Sequence, residues 1–395
     1  SKSTLFDSNN RGILMEKRYN FRIYPNKAQQ EQIQKNFGCC RFVYNYFLDK
    51  RIKAFENGEG ILSYNSCCKE LTALKKTDEY SFLREADAGS LQYSIKCLDL
   101  AFKSFFRNVK QGAAPGFPKF KSKRETYKSY KSANHTKTNE VRFEDDKIVL
   151  PKLGAVKCRI SKQIEGRIIS ASVVQASSGI YYVSVCCTEV EQSVLPHTDK
   201  MVGLHLGINN LAVTSYGQKF ENPKHLEKSL KKIARLQREL SRKTSGGKNY
   251  EKARIKLTRE YEHVTNQKKD SIQKLTTDIA RNYDLICISD VQTKDKLKRD
   301  SKHNTFRRNL ADSGWGLFTK CLTYKSEWYC KKLVIVDSSF PSVQLCGCCD
   351  YINTTLNGRT YIDQWTCPNC NTVHDRSVNA ARNILAVGLE QISIA

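Results

Sequence analysis

No stretch of this chain approaches the roughly eighteen consecutive apolar residues that a membrane-spanning helix requires. Residues 1–14 lack the apolar core of a secretory signal peptide; Met15 heads a strand-like run, which makes it a natural start and the preceding segment a disordered extension or tag. Acid is scarce as well: 40 Asp and Glu stand against 66 Lys and Arg in 395 residues, a formal net charge of +26. Such an excess favours a polyanionic partner, because each phosphate neutralised by a cation releases condensed counterions. The cations also cluster, which a merely soluble surface does not require. Without an export signal, the sixteen cysteines are expected to be reduced thiols plus a metal site in a cytoplasmic, nucleoid-associated protein, not a disulfide framework. Cys186, Cys187 and Cys287 lie in apolar strand-like runs, where cysteine serves as a small core residue.

The length allows two to four structural units. Residues 17–24 alternate as a strand should, and Pro25 ends the run. Asn26 can cap a helix through Ile33 and Phe37 that breaks near Gly38, with a second helix through Phe42, Val43, Tyr46 and Phe47; together they predict a helix–turn–helix-like pair. A further amphipathic helix starts near Ser90 and carries Leu91, Ile95, Leu98, Phe102 and Phe105 on one face. From Val141 to Val190 four short strands are expected, at Lys147–Leu150, Ala155–Ile160, Ile168–Gln175 and Tyr181–Thr188, forming a small β-barrel or an open sheet, with a hairpin turn at Ser177-Ser178-Gly179. Residues 191–200 read as a linker.

The later half alternates strands and helices, which argues for an α/β layered domain. The run Val202–Val213 is a buried strand turning through Gly207, followed by a strand at Leu211–Ser215 and a turn at Tyr216-Gly217. A two-helix hairpin broken at Ser245-Gly246-Gly247, a helix at Leu275–Asn282, strands at Asp284–Ile288 and Leu333–Val336, and helices at Leu317–Cys330 and Val378–Leu389 complete it.

Two tracts concentrate the positive charge. Residues 103–131 hold nine Lys and Arg against one acid, interleaved with Phe105, Phe106, Phe117, Phe120, Tyr127 and Tyr130. Cations beside exposed aromatics suit a nucleic-acid backbone and its bases. The candidate contacts here are Lys119, Lys121, Lys123, Arg124, Lys128 and Lys131. Residues 228–269 carry fourteen basic and four acidic residues, with Arg235, Arg238, Arg242 and Lys243 as candidates.

The most specific local signal is a pair of CxxC knuckles, Cys346/Cys349 and Cys367/Cys370, separated by seventeen residues. Each supplies two sulfurs to one tetrahedral ion, the pattern of a structural four-thiolate zinc ribbon. Cys348 is then a bystander, although a swap with Cys349 stays open.

Immediately beyond lies His374-Asp375-Arg376-Ser377-Val378-Asn379-Ala380-Ala381-Arg382-Asn383. With the 202–213 strand, the knuckles, Phe21-Arg22-Ile23-Tyr24-Pro25, Phe37-Gly38-Cys39-Cys40-Arg41-Phe42-Val43-Tyr44-Asn45, Leu240-Ser241-Arg242-Lys243, Tyr324-Lys325 and Phe340-Pro341-Ser342, this chain resembles TnpB, the transposon-encoded RNA-guided nuclease family related to type V CRISPR effectors. The resemblance implies an α+β multidomain protein: a small wedge β-barrel (residues 15–25 and 116–197) with an inserted helical recognition domain (26–115), then an RNase H/RuvC-like α/β domain (198–342 and 373–395) with an inserted zinc ribbon (343–372).

Family members hold catalytic magnesium with three carboxylates. The resemblance places those positions at His205, Ser289 and Ser377, none of which is an acid. Phosphodiester cleavage by metal ions needs hard anionic oxygens, which imidazole and hydroxyl do not supply. The expectation is therefore a protein that is not an enzyme and holds no catalytic magnesium, similar to the nuclease-dead TnpB-like repressors. It would bind a guide RNA, pair it with double-stranded DNA beside a short motif, and repress transcription. Three alternatives stay open: a weak nuclease using Asp290 and Asp375, a protein-only DNA-binding regulator using the 26–51 helix pair, and a decayed pseudogene product, against which the intact zinc ligands, basic tracts and apolar patterns argue.

Overall fold

The computed structural model describes residues 14–60, 62–114, 116–134, 140–290, 304–356 and 362–393. The expected N-terminal extension falls outside these, except for Leu14, which opens the first strand. The chain divides into two units, Ser1–Glu191 and Gln192–Ala395. Among the described residues no helix is long and apolar enough to cross a membrane.

In the first unit β1 (Leu14–Tyr24) points Tyr19, Phe21 and Ile23 inward on alternate positions, as the period of a strand demands. It is central in a seven-stranded antiparallel sheet of order β2-β6-β7-β1-β5-β4-β3. The partners are β2 (Lys128–Ala133), β3 (Arg142–Glu144), β4 (Lys147–Leu150), β5 (Gly154–Arg159), β6 (Arg167–Gln175) and β7 (Tyr181–Glu191). Among the described residues no pairing joins β2 to β3, so the ladder is an open one with those strands at its edges. The β6–β7 hairpin turns where expected, with Gly179 at φ +80, a conformation that glycine adopts without steric cost.

After Pro25, Asn26 and Gln29 form a reciprocal capping box and start α1 (Lys27–Glu56). Here the structure corrects the sequence reading. α1 is a single helix of 30 residues that runs through Gly38 without a break, so there is no helix–turn–helix pair. A glycine costs a helix interior about 1 kcal/mol. Burial of Phe37, Cys39, Cys40, Val43 and Phe47 on both sides of Gly38 outweighs that. The chain then forms α2 (Tyr64–Leu74), which the sequence reading missed, and α3 (Ala88–Lys110). Asp87 caps α3 through the Gly89 and Ser90 N–H groups and also accepts the Ser132 hydroxyl of β2 at 2.7 Å.

The second unit is built on a five-stranded sheet of order β10-β9-β8-β11-β12. Its strands are β8 (Met201–His205), β9 (Asn210–Thr214), β10 (Lys219–Glu221), β11 (Leu285–Ser289) and β12 (Lys332–Val336); β8, β11 and β12 are parallel, β9 is antiparallel to β8, and β10 is antiparallel to β9. Helices α4 (His225–Ser241) and α5 (Lys248–Asn282) form the expected hairpin, although Leu275–Asn282 proves to be the end of α5 and not a separate helix. Then follow α6 (Asn304–Ser313), α7 (Trp315–Tyr329) and α8 (Arg376–Ser393).

Both sheet faces are covered, which is why β11 is apolar from Leu285 to Ile288. Val202, Leu204, Ile286 and Ile288 pack with Ile272, Ile279, Phe318 and Leu322 of α5 and α7; Leu285, Cys287 and Val336 pack with Ile384 of α8. Helix α8 crosses β8 at Gly203, where any Cβ would fall 2.0 Å from the Ala381 carbonyl oxygen. Glycine at this position is thus a requirement of close helix–sheet approach, and it fixes α8 over the sheet.

Candidate strand-end site, four-cysteine centre and basic tracts

The β8/β11 register pairs Leu204 with Ile288, so the next residues, His205 and Ser289, end neighbouring parallel strands side by side. Ser289 pairs in turn with Val336 of β12. Ser377 is the second residue of α8, one helical turn before the Ala381 that meets Gly203. His205, Ser289 and Ser377 are all half-buried. The strand ends thus bring His205 and Ser289 together, while Ser377 sits at the start of α8, the helix packed on the same sheet. Two acids accompany them. Asp290 follows β11 directly, is exposed, and donates its backbone N–H to the Val336 carbonyl. Asp375 caps α8: one carboxylate oxygen accepts the Ser377 and Val378 N–H groups at 3.0 Å, and the other meets the Lys219 ammonium at 2.7 Å. Burial opposes ionisation of Asp375, but Lys219 and these N–H donors prevail and hold its carboxyl below the usual range. The sequence reading did not find Lys219, because only the fold brings β10 to the helix start.

The four knuckle cysteines converge. Their sulfurs all lie within 4.8 Å of one another, with Cys346–Cys370 and Cys349–Cys367 both at 3.6 Å. Metal–sulfur bonds of about 2.3 Å in a tetrahedron put sulfurs about 3.8 Å apart, so the set fits one structural zinc. Burial pushes the Cys346 thiol up to about 12, whereas the Thr372 hydroxyl and N–H groups hold Cys370 down at about 6. Cys348 faces solvent outside the four-sulfur set. Among the described residues between the knuckles, Leu356, Trp365 and the partly buried Ile362 lie beside the sulfurs.

Two asparagines fasten this ribbon to α8. Asn379 accepts the Gly347 N–H at 3.1 Å and donates to the Leu345 carbonyl at 2.7 Å; Asn383 donates to the Ser342 and Leu345 carbonyls. His374, on β14 (Val373–Asp375), places Nε2 3.1 Å from the Cys346 sulfur. The sequence reading took these three residues as family motif alone; their placement after the second knuckle was the available signal.

In the first unit, Lys119, Lys121, Lys123 and Arg124 are exposed, and Lys128 and Lys131 are half-buried. Asn45 pins the tract to α1 by exchanging backbone bonds with Lys121, whose ammonium sits 4.2 Å over the Tyr44 ring. Lys131 lies 4.7 Å over Tyr93. Of the interleaved aromatics, Phe106, Phe117, Phe120 and Tyr127 are exposed, but Tyr130 is 5% exposed and packs edge-on against Phe37, so it is a core residue. Lys121, Lys128 and Lys131 share a cavity of about 390 Å³ with Arg18 and Arg41, against one acid, Glu125, among its described lining residues. Arg18 and Arg41 come from β1 and α1, far off in sequence. In the second unit Arg235, Arg238, Arg242 and Lys243 are all exposed, while Ile233 and Leu236 form the buried seam of α4.

Comparison with known proteins gives this arrangement its family. The model for IS605 OrfB, described as a probable transposase, matches residues 184–300; a helix-turn-helix domain model matches 15–60; and the TNB domain of Cas12f1-like proteins matches 315–384. A Streptomyces pristinaespiralis protein, assigned by its name as an RNA-guided DNA endonuclease, is 33% identical over 380 residues, covering 95% of this chain and 90% of its own. The chain belongs to the TnpB (IS605 OrfB) family. A second TnpB relative, InsQ of Escherichia coli K12, carries the same assignment and is 32% identical over 382 residues, covering 94% of this chain and 92% of its own. The TnpB fold recurs in Cas12f1, solved with its sgRNA and target DNA (TM-score 0.59, 12% identity, covering 94% of this chain and 98% of that one). It recurs also in the mini RNA-guided endonuclease CRISPR-Cas phi3 (TM-score 0.51, 9% identity, 96% and 94% covered).

Family membership corrects one expectation. The sequence reading made this chain a non-enzyme, but its full-length TnpB relatives are named as endonucleases and the family is one of RuvC-like nucleases. Three residue identities at His205, Ser289 and Ser377 were too narrow a basis, with Asp290 one residue and Asp375 two residues away. The helix-turn-helix model matches a region that in this TnpB is strand β1 followed by the single unbroken helix α1, which removes the helix pair on which a protein-only regulator was expected to rely.

Proposed function

We propose that this TnpB-family protein binds a guide RNA, is directed by it to matched double-stranded DNA beside a short motif, and represses transcription by occupying a promoter there. The observation that carries the guided-binding part of the proposal is near-full-length similarity to proteins named as RNA-guided DNA endonucleases. In such complexes base pairing selects the sequence, while the protein holds the backbone and the heteroduplex shape. The cation-lined cavity at Arg18, Arg41, Lys121, Lys128 and Lys131 and the exposed Arg235, Arg238, Arg242 and Lys243 supply the charge for that task. One zinc at Cys346, Cys349, Cys367 and Cys370 holds the ribbon.

A second reading is cleavage of the paired DNA, and the positions of Asp290 and Asp375 favour it. Asp290 is free to face solvent at the strand end; Asp375 would have to exchange Lys219 for a metal ion. The experiment uses a reporter promoter and a labelled duplex with matched and mismatched guides, comparing the natural chain with an Asp290→Asn/Asp375→Asn double variant. Repression and duplex retention are expected only with the matched guide, and both persist in the double variant. Guide-dependent cut product that disappears in the variant together with repression moves the account to cleavage.

The phosphate contacts have their own signature. Lys128→Ala and Lys131→Ala are each expected to weaken binding alike for all target sequences and to flatten the log affinity against log salt slope by about one. An unchanged slope across a salt titration removes that residue from the interface.

A further inference from the structure

We propose that His374 is an outer partner of the ribbon metal: its Nε2–H donates a hydrogen bond to the Cys346 sulfur, tying metal retention to the segment that opens α8. The inference rests on the four-cysteine zinc reading above. A divalent ion with four thiolates carries two excess negative charges, and in a buried setting these need N–H donors to offset them. His374 is 7% exposed and its Nε2 lies 3.1 Å from Cys346, itself fully buried.

Packing supports the ring on its other side. Trp365 of β13 (Gln364–Thr366) is its cross-strand neighbour, and the two rings pack with centroids 4.8 Å apart. A role as direct ligand fits less well. The four sulfurs form one mutually close set that does not include the imidazole, and the set that does include it, with Cys346 and Cys348, has three members and draws on an exposed cysteine. His374 is followed at once by Asp375, which caps α8, and by Ser377. The same short segment therefore touches the metal thiolate at one end and opens α8 at the other.

The test uses full-length protein loaded with cobalt in place of zinc, as the natural chain, His374→Gln and His374→Phe. The glutamine keeps a side-chain N–H; the phenylalanine keeps a ring against Trp365 and removes the donor. All three are expected to show the same four-sulfur tetrahedral visible spectrum. His374→Phe is expected to hold metal about 10- to 100-fold more weakly in chelator competition, with His374→Gln close to the natural chain. If His374→Phe does not fold, as judged by circular dichroism, His374→Leu takes its place in the comparison. A spectrum that changes in His374→Gln would make the histidine a ligand and overturn the proposal. Wild-type retention in the variant lacking the donor would do the same, leaving only packing. A natural chain that takes up neither cobalt nor zinc would fail the four-cysteine reading itself.

Discussion

Cys367→Ser is expected to cost this protein its metal and the order of the ribbon around it. Cys367 is fully buried, its sulfur sits 3.6 Å from that of Cys349, and its N–H and carbonyl close the second knuckle on Thr372 and Asn371. A serine hydroxyl is a neutral, hard ligand in place of a soft thiolate. Structural zinc sites of this kind contribute about 10 kcal/mol or more of binding free energy that is also folding free energy. Among its described residues the ribbon packs only Leu356, Trp365 and the partly buried Ile362 against the cysteines, too small a core to hold a segment of this size. Metal analysis should fall from one zinc per chain to a small fraction of that. Hydrogen exchange should rise in the ribbon and spread into the first turns of α8, because Asn379 and Asn383 bond to the knuckle backbone. Unchanged zinc content in the variant refutes the ligand assignment.

Asp284→Ala should be the most damaging single change away from the metal. The segment before β8 is held by this one carboxylate. Asp284 accepts the Thr198 and Asp199 N–H groups at 2.7 Å and the Lys331 ammonium at 2.5 Å, and Lys331 also donates to the Pro196 carbonyl. The Lys331 side chain is 2% exposed, so alanine leaves a buried cation without its counter-charge. Breaking a buried pair in this way typically costs about 3–5 kcal/mol. The pH dependence has a definite sign. Burial would raise the Asp284 carboxyl, but Lys331 and the two N–H donors hold it well below the ordinary carboxylate value. A depressed folded pKa contributes stability that is complete above the unfolded value, near 4, and is lost as pH falls below it. Denaturant melts from pH 7 to pH 3 should show the natural chain losing more stability than Asp284→Asn. Parallel curves would remove the clasp from the account.

The sequence disclosed what was local and concealed what was not. The knuckles were legible because ligand spacing within a ribbon is set by the metal. The β6–β7 hairpin was legible because alternation and Ser177-Ser178-Gly179 act over a few residues. The strand β2 was invisible, since Lys128–Ala133 buries only Tyr130 and Ser132 and reads as polar loop. Gly38 misled because its local penalty was read without the burial of Phe37, Cys39 and Cys40 that overrides it. The joining of Arg18 and Arg41 with the 121–131 lysines, and of Lys219 with Asp375, depends on strand order and helix placement, which no local pattern encodes. That His205 and Ser289 end neighbouring strands emerged only from the parallel register of β8 and β11, and the step from their side chains to absence of enzymatic activity went further than residue identity allowed.

RNA guidance is the centre of the account, and one measurement addresses it directly: purify the protein from its native cells and sequence the RNA that accompanies it. The account predicts one discrete RNA, with a constant folded part joined to a short segment that matches a chromosomal promoter. Random RNA fragments, together with specific duplex binding that survives RNase treatment, would contradict it.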